Sequence, residues 1–199
     1  CVPHNFVDQL MVNIANQDKW KFAVCSFENA PELHIARLME IKQKKKFFDG
    51  RQKMTDEEYK EGFKWVNDHF IFLTHQSSEP STIDSILDRL KVAVARTGIR
   101  GAVIDPYNYI VMDKDGSETE NISNMLTRIQ SFAKSYGVHI WFVAHPSKMQ
   151  RYGNELPRPD GMSISGSMAW WAKADVGLTV YRLEKNTEII SWKCRYRWV

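Results

Sequence analysis

Cysteine is scarce in this sequence. Its 199 residues hold three, Cys1, Cys25 and Cys194, widely spaced and with no C-x-x-C pair. That argues against a disulfide scaffold and a thiolate zinc site, and suits a reducing, cytoplasmic setting. Cys25 and Cys194 lie in apolar strand patterns and read as small core residues. The histidines show no metal-ligand spacing, and His4, His34, His69, His75 and His139 read as packing or surface residues. No apolar run approaches the roughly 18 residues of a membrane span. No basic segment leads into an apolar one, as in a signal peptide. Charge of one sign is missing too. The 27 basic and 24 acidic residues leave +3, too little to imply nucleic acid by itself. Internal repeats are absent. So is any Gly-x-x-x-x-Gly-Lys-Ser/Thr run, and with it the usual cradle for nucleotide phosphates.

What is present is an ordinary globular composition, 43% hydrophobic and 26% charged, of a length that suits a single domain over residues 1–199. The chain is organised around Gly101-Ala-Val-Ile-Asp105. A short apolar run into an acid reads as a buried parallel strand with a carboxylate at its carboxyl end. Two other apolar runs end in polar groups: Phe22-Ala-Val-Cys-Ser-Phe27 before Glu28, and Val138-His-Ile-Trp-Phe-Val-Ala144 before His145.

Helical periodicity lies between the strands. Residues 5–15 have apolar side chains at 6, 7, 10, 11, 14 and 15, with Asn5 as cap and residues 1–4 as a loop. A helix is expected over 30–46. Another is opened by a capping box at Thr55 and Glu58. A third runs over 82–97 to a stop at Gly98, and a fourth over 120–136 to a stop at Gly137. A short helix is expected at 166–173, then two strands, 176–181 and 188–195. The order predicts an α/β fold: a mostly parallel sheet flanked by helices, with a C-terminal antiparallel hairpin extending one edge. A helix that must pack on a sheet, yet opens the chain, suggests a piece of something longer.

In a parallel sheet the carboxyl ends share one side, where ligands bind. Glu28, Asp105 and His145 can therefore converge. Asp105 would hold Mg²⁺ through water, Glu28 would position a water, and His145 would report a phosphate by hydrogen bond. Each has a plainer reading as an Asx turn, a cap or a packing residue. The terminal strand carries Lys193, Arg195 and Arg197. These either defend an edge or supply an arginine to a neighbour's nucleotide, which implies a ring or filament. Residues 146–165 form a long polar stretch whose lysine, arginines and tyrosine suit single-stranded nucleic acid, or a merely solvated loop. A Gly before Cys1, with Gly-Lys-Ser between His4 and Asn5, would complete the phosphate-binding run in the right register. The expectation is that the parent protein carries them; a true deletion is the alternative.

Five stretches together resemble a known family: Ser26-Phe-Glu-Asn29, Gly101-Ala-Val-Ile-Asp105, Phe142-Val-Ala-His-Pro-Ser-Lys148, Ser163-Ile-Ser-Gly-Ser167 with Ala174-Asp175, and Trp192-Lys-Cys-Arg-Tyr196. The chain resembles the RecA-like ATPase domain of hexameric replicative helicases of the DnaB superfamily, of the phage primase-helicase and Twinkle type. The resemblance implies a P-loop NTPase fold. It also implies ATP or another NTP with Mg²⁺ as cofactors, movement on single-stranded DNA, and a homo-oligomeric ring, usually hexameric. A primase domain in the same polypeptide and a bacterial or phage-infected cell would go with it.

By position, the resemblance makes Glu28 the water-activating glutamate, Asp105 the Walker B aspartate and His145 the phosphate sensor. Arg195 becomes the finger acting in trans, and Lys193 its basic neighbour. Pro3, His4 and Asn5 mark the nucleotide-binding stretch, while Lys148, Arg151 and Arg158 are DNA-channel candidates. Two departures stand out: the absent Walker A run, and Ala172 where many relatives have glutamine. A RecA-type recombinase, and a DNA- or helicase-binding module that has lost its phosphate loop, remain the rival readings.

Overall fold

A computed structural model describes residues 2–27, 30–48, 53–74, 81–112, 116–147 and 157–196. Four parallel strands form its centre: β1 Phe22–Ser26, β2 Phe70–Phe72, β3 Gly101–Asp105 and β4 His139–Phe142, in the order β2-β1-β3-β4. The register sets Val24 opposite both Val103 and Phe72. Helices cover both faces, which is why β1 and β3 read as unbroken apolar runs. Side chains alternate between two cores. Phe22, Val24 and Val103 meet α1 (Val2–Asp18), α2 (Pro31–Gln43) and α3 (Asp56–His69) through Met11, Leu38 and Val66. Ala23, Cys25, Ala102 and Ile104 meet α4 (Ile83–Thr97), α5 (Glu118–Tyr136) and α6 (Ser167–Lys173) through Leu90, Ile122 and Trp170. Gly101 opens the central strand because a Cβ there would sit 2.4 Å from the Phe22 ring.

The helix starts follow local chemistry. Thr55 and Glu58 form the expected capping box, Thr82 caps α4, and Gly98 and Gly137 end α4 and α5 in left-handed conformation. α5 begins two residues earlier than its apolar pattern suggests, because Ser117 and Glu120 form a second capping box.

The amino terminus differs more. Residues 2–4, expected as a loop capped by Asn5, are helical, and α1 runs unbroken through the His4–Asn5 junction. Pro3 lies in the first turn, where a missing N–H costs nothing, so Asn5 lies inside the helix rather than at its cap. The final strands, β5 Val176–Arg182 and β6 Thr187–Cys194, pair antiparallel. Among the described residues they form a two-stranded sheet of their own, not an extension of the parallel one. Cys194 is exposed at the end of β6, not a core residue as expected. Cys25 is buried, and burial pushes its thiol pKa up to about 12.

Candidate nucleotide site

Asp105 ends β3 and is 3% exposed. Its register partner on β1 is Ser26, whose hydroxyl is buried with no hydrogen-bond partner among the described residues. A carboxylate beside an unused hydroxyl is an oxygen-donor pair, which fits a hard cation such as Mg²⁺ bound partly through water. The described residues hold no group of three or more His, Cys, Asp or Glu that could cage a metal by themselves.

The chain leaves Asp105 through a cis bond to Pro106 and enters a 3₁₀ turn, Tyr107–Tyr109. The Tyr107 N–H donates to the Val143 carbonyl at 3.0 Å, and the Val143 N–H to the Ile104 carbonyl at 2.9 Å. β3 and β4 therefore stay side by side to their ends, and half-buried His145 follows two residues after Val143.

An aromatic floor supports this corner. The Tyr107 ring packs on Trp170 at 5.0 Å, and Trp170 on Phe142 at 5.4 Å. The Trp170 indole N–H donates to the Ser165 carbonyl at 2.9 Å, and the Ser165 hydroxyl to Glu118 at 2.6 Å. Burial, then the Glu118 carboxylate, raise the Tyr107 pKa. Trp170 thus packs under the Asp105 turn, whereas Trp171 lies exposed against Trp192.

The basic strand end lies elsewhere. The Lys193 ammonium donates to the carbonyls of Trp171 and Ala172 in the last turn of α6, where a helix end favours a cation. Partial burial, then Arg195, lower its pKa. Arg195 pairs with Asp175 at 2.9 Å and reaches the Ala172 carbonyl at 3.3 Å. Asp175 also acts on His139, which opens β4. Partial burial lowers the pKa of that imidazole, which lies tilted against Trp141 with centroids 4.1 Å apart, and Asp175 opposes the shift. Arg195 is thus held at the margin of the β5–β6 hairpin by Asp175 and the end of α6, while Asp105 ends β3 and His145 lies three residues past the end of β4.

Arg158 forms a bidentate pair with Glu188 on β6, at 2.6 and 3.1 Å, over the Tyr181 ring. Glu28, Lys148 and Arg151 lie outside the described residues, as do the side chains of Pro3 and His4. Sequence reading missed the buried cluster of Asp8, His34 and Arg37. Asp8 accepts from His34 at 2.8 Å and pairs with Arg37 at 3.2 Å. No spacing signals a contact 26 residues apart.

No protein-family model matches the chain. Over 184 residues it is 41% identical to the chloroplastic/mitochondrial Twinkle homolog of Arabidopsis thaliana, a match covering 89% of this chain and 26% of that protein. Its fold matches a solved ATPase domain with a TM-score of 0.74 at 15% identity, over 96% of this chain and 72% of that one. A DnaB-like replicative helicase, solved for its interactions with primase, matches with a TM-score of 0.74 at 16% identity, over 96% and 49%. The chain thus shares the fold of these two solved domains and is similar in sequence to the Twinkle homolog. It spans about a quarter of the length of its Twinkle-type relative.

Proposed function

We propose that the chain is the motor domain of a DNA helicase, coupling NTP hydrolysis to movement along single-stranded DNA within a homo-oligomeric ring. One observation carries the reading: Asp105 ends β3 and His145 follows the neighbouring β4, while Arg195 belongs to the separate β5–β6 hairpin, paired there with Asp175. A nucleotide at Asp105 would then take its arginine from the next subunit, so each site would span two copies.

In this mechanism Asp105, with the Ser26 hydroxyl beside it, would hold Mg²⁺, which neutralises phosphate charge when bound. Glu28 takes a proton from water as the water oxygen bonds to the γ-phosphorus. The bond from that phosphorus to the β–γ bridging oxygen breaks, and the charge leaves on the diphosphate. His145 hydrogen-bonds the γ-phosphate, and Arg195, steadied by Lys193, stabilises charge in the neighbour's site. Lys148, Arg151 and Arg158 are assigned to phosphates of the DNA strand, which makes binding salt-sensitive. Arg158 would have to share or leave Glu188 to do so. A primase domain in the same polypeptide and a bacterial or phage-infected host belong to the same proposal.

A second reading has its own observation. α1 is unbroken across the His4–Asn5 junction, and residues 1–199 contain no Gly-x-x-x-x-Gly-Lys-Ser/Thr run, a pattern that fits a chain binding partners without nucleotide. Calorimetric titration with Mg-ATP separates the two. We expect micromolar binding once Gly-Lys-Ser is supplied between His4 and Asn5, and its loss on Asp105→Asn. If the completed chain binds no nucleotide, the binding-module reading replaces the motor.

A further inference from the structure

An indole seats the base of the segment after His145 against the strand end carrying Arg195. Trp192 lies on β6 immediately before Lys193. A Cβ on Gly161 would fall 2.6 Å from its ring, and one on Gly177 2.3 Å from it. Both glycines are therefore the seat of Trp192, one from the segment and one from β5. Trp171 closes the third side, with ring centroids 5.3 Å apart. The β-bulge between Gly177 and Leu178 falls at this seat, as expected where a strand must admit a large ring.

Other contacts repeat the link. The Thr179 hydroxyl donates to the Pro159 carbonyl at 2.6 Å, and Arg158 is held by Glu188. At the other end of the segment, the Ser147 N–H donates to the Ser163 carbonyl at 2.7 Å. Ser147 is two residues past His145. A continuous set of packed groups thus runs from His145 through Ser147, Ser163 and Gly161 to Trp192, Lys193 and Arg195.

We propose that Trp192 is a positioning residue. It makes the base of the post-His145 segment and the Lys193–Arg195 strand end one mechanical body, so that a shift at either moves the other. The proposal rests on the motor reading for its purpose, since it would let a strand held by the segment set the arginine offered to the next subunit. The linkage itself stands on the packing alone. Arg195 suits such control because it is itself exposed and its resting partner, Asp175, is a partly exposed carboxylate that water can replace.

Hydrogen exchange on the intact chain tests the linkage without any ligand. Gly161→Ala pushes on the ring from the segment side, and Trp192→Ala removes it from the strand side. Each should raise exchange by about tenfold at both 160–163 and 193–196, with β3 and α4 unchanged. Trp192→Phe should recover most of the protection. Asp175→Ala, which loosens Arg195 alone, should affect 193–196 only. A rise confined to one side in Gly161→Ala and Trp192→Ala overturns the proposal. If Trp192→Ala unfolds the chain, Gly161→Ala decides alone. Single-stranded oligothymidylate then separates purpose from linkage. Stimulation of NTP turnover should fall in Gly161→Ala with KM for nucleotide unchanged. These turnover measurements use chains that carry the completed phosphate-binding run; absent stimulation in that otherwise unsubstituted chain counts against the motor reading, while the exchange result still decides the linkage.

Discussion

Two carboxylate clusters in this molecule have opposite characters. Asp8 is 2% exposed and held by buried His34 and half-covered Arg37, joining α1 to α2. Asp175 and Arg195 are 34% and 44% exposed, at the margin of the hairpin. A buried carboxylate costs much to part from its donors, because it is then left a charge out of reach of water. An exposed pair contributes little, because water replaces either partner. The first is built to stay. The second holds an arginine so weakly that a nucleotide phosphate could compete for it. The first cluster ties two helices together, and the second lies at the margin of the separate hairpin, where Arg195 is proposed to act.

The contrast can be broken from either side. The largest effect is expected at Arg195. In the assembled ring, Arg195→Ala should lower DNA-stimulated NTP turnover by about 10³-fold, as the loss of an arginine finger does. Its melting temperature should stay within about 2 °C. Next, Asp8→Ala should destabilise the fold by about 3 kcal/mol in urea titration, because His34 and Arg37 lose their shared acceptor. Asp8→Asn, which keeps an acceptor, should cost less. Gly101→Ala should cost about 2 kcal/mol through the clash with Phe22, sharpening the view that the parallel sheet is packed without slack. The smallest stability effect belongs to Asp175→Asn, less than about 1 kcal/mol, vanishing in high salt.

Thiol labelling gives the same contrast in another chemistry. At pH 8 Cys194 should react in the native chain, and Cys25 only on unfolding. The raised Cys25 pKa keeps its thiol protonated in the fold. Its contribution to stability is therefore complete below the ordinary thiol pKa near 9 and declines as pH rises toward about 12.

Much of the fold is legible because its signals are local. Gly101 to Asp105 is a run of buried residues bounded by a breaker and an acid, and Thr55, with Glu58 three residues on, announces the helix that starts at Asp56. Ser117 and Glu120 carry the same announcement, though the apolar pattern alone draws attention to the later start. The start of the first helix is not legible, because Pro3 and Asn5 are as compatible with a loop and cap as with a first turn, and only packing of α1 decides.

The strand-end placement of Asp105 is legible in the sequence, whereas His145, expected at a strand end, lies three residues past the end of β4. The Trp192 seat is not legible, although it leaves a trace. Gly177 inside a strand is a residue with nothing to pack, which marks the approach of something large. What approaches is a tryptophan from the partner strand, and sequence does not name it. The Asp8–His34 contact has no trace at all, since tertiary packing alone joins two amphipathic helices there.

The most direct test is a mixing experiment in chains that carry the completed phosphate-binding run. Asp105→Asn and Arg195→Ala should each be inactive in DNA-stimulated NTP hydrolysis. Mixed in equal amounts and allowed to exchange subunits, they should regain activity, because roughly a quarter of the interfaces would pair an intact Asp105 with an intact Arg195 from the next subunit. Recovery would place the two residues on opposite sides of one shared site. If every mixture stays as inactive as its parents while the rings demonstrably exchange, the site is not shared between copies, and Arg195 has no part in a neighbour's chemistry.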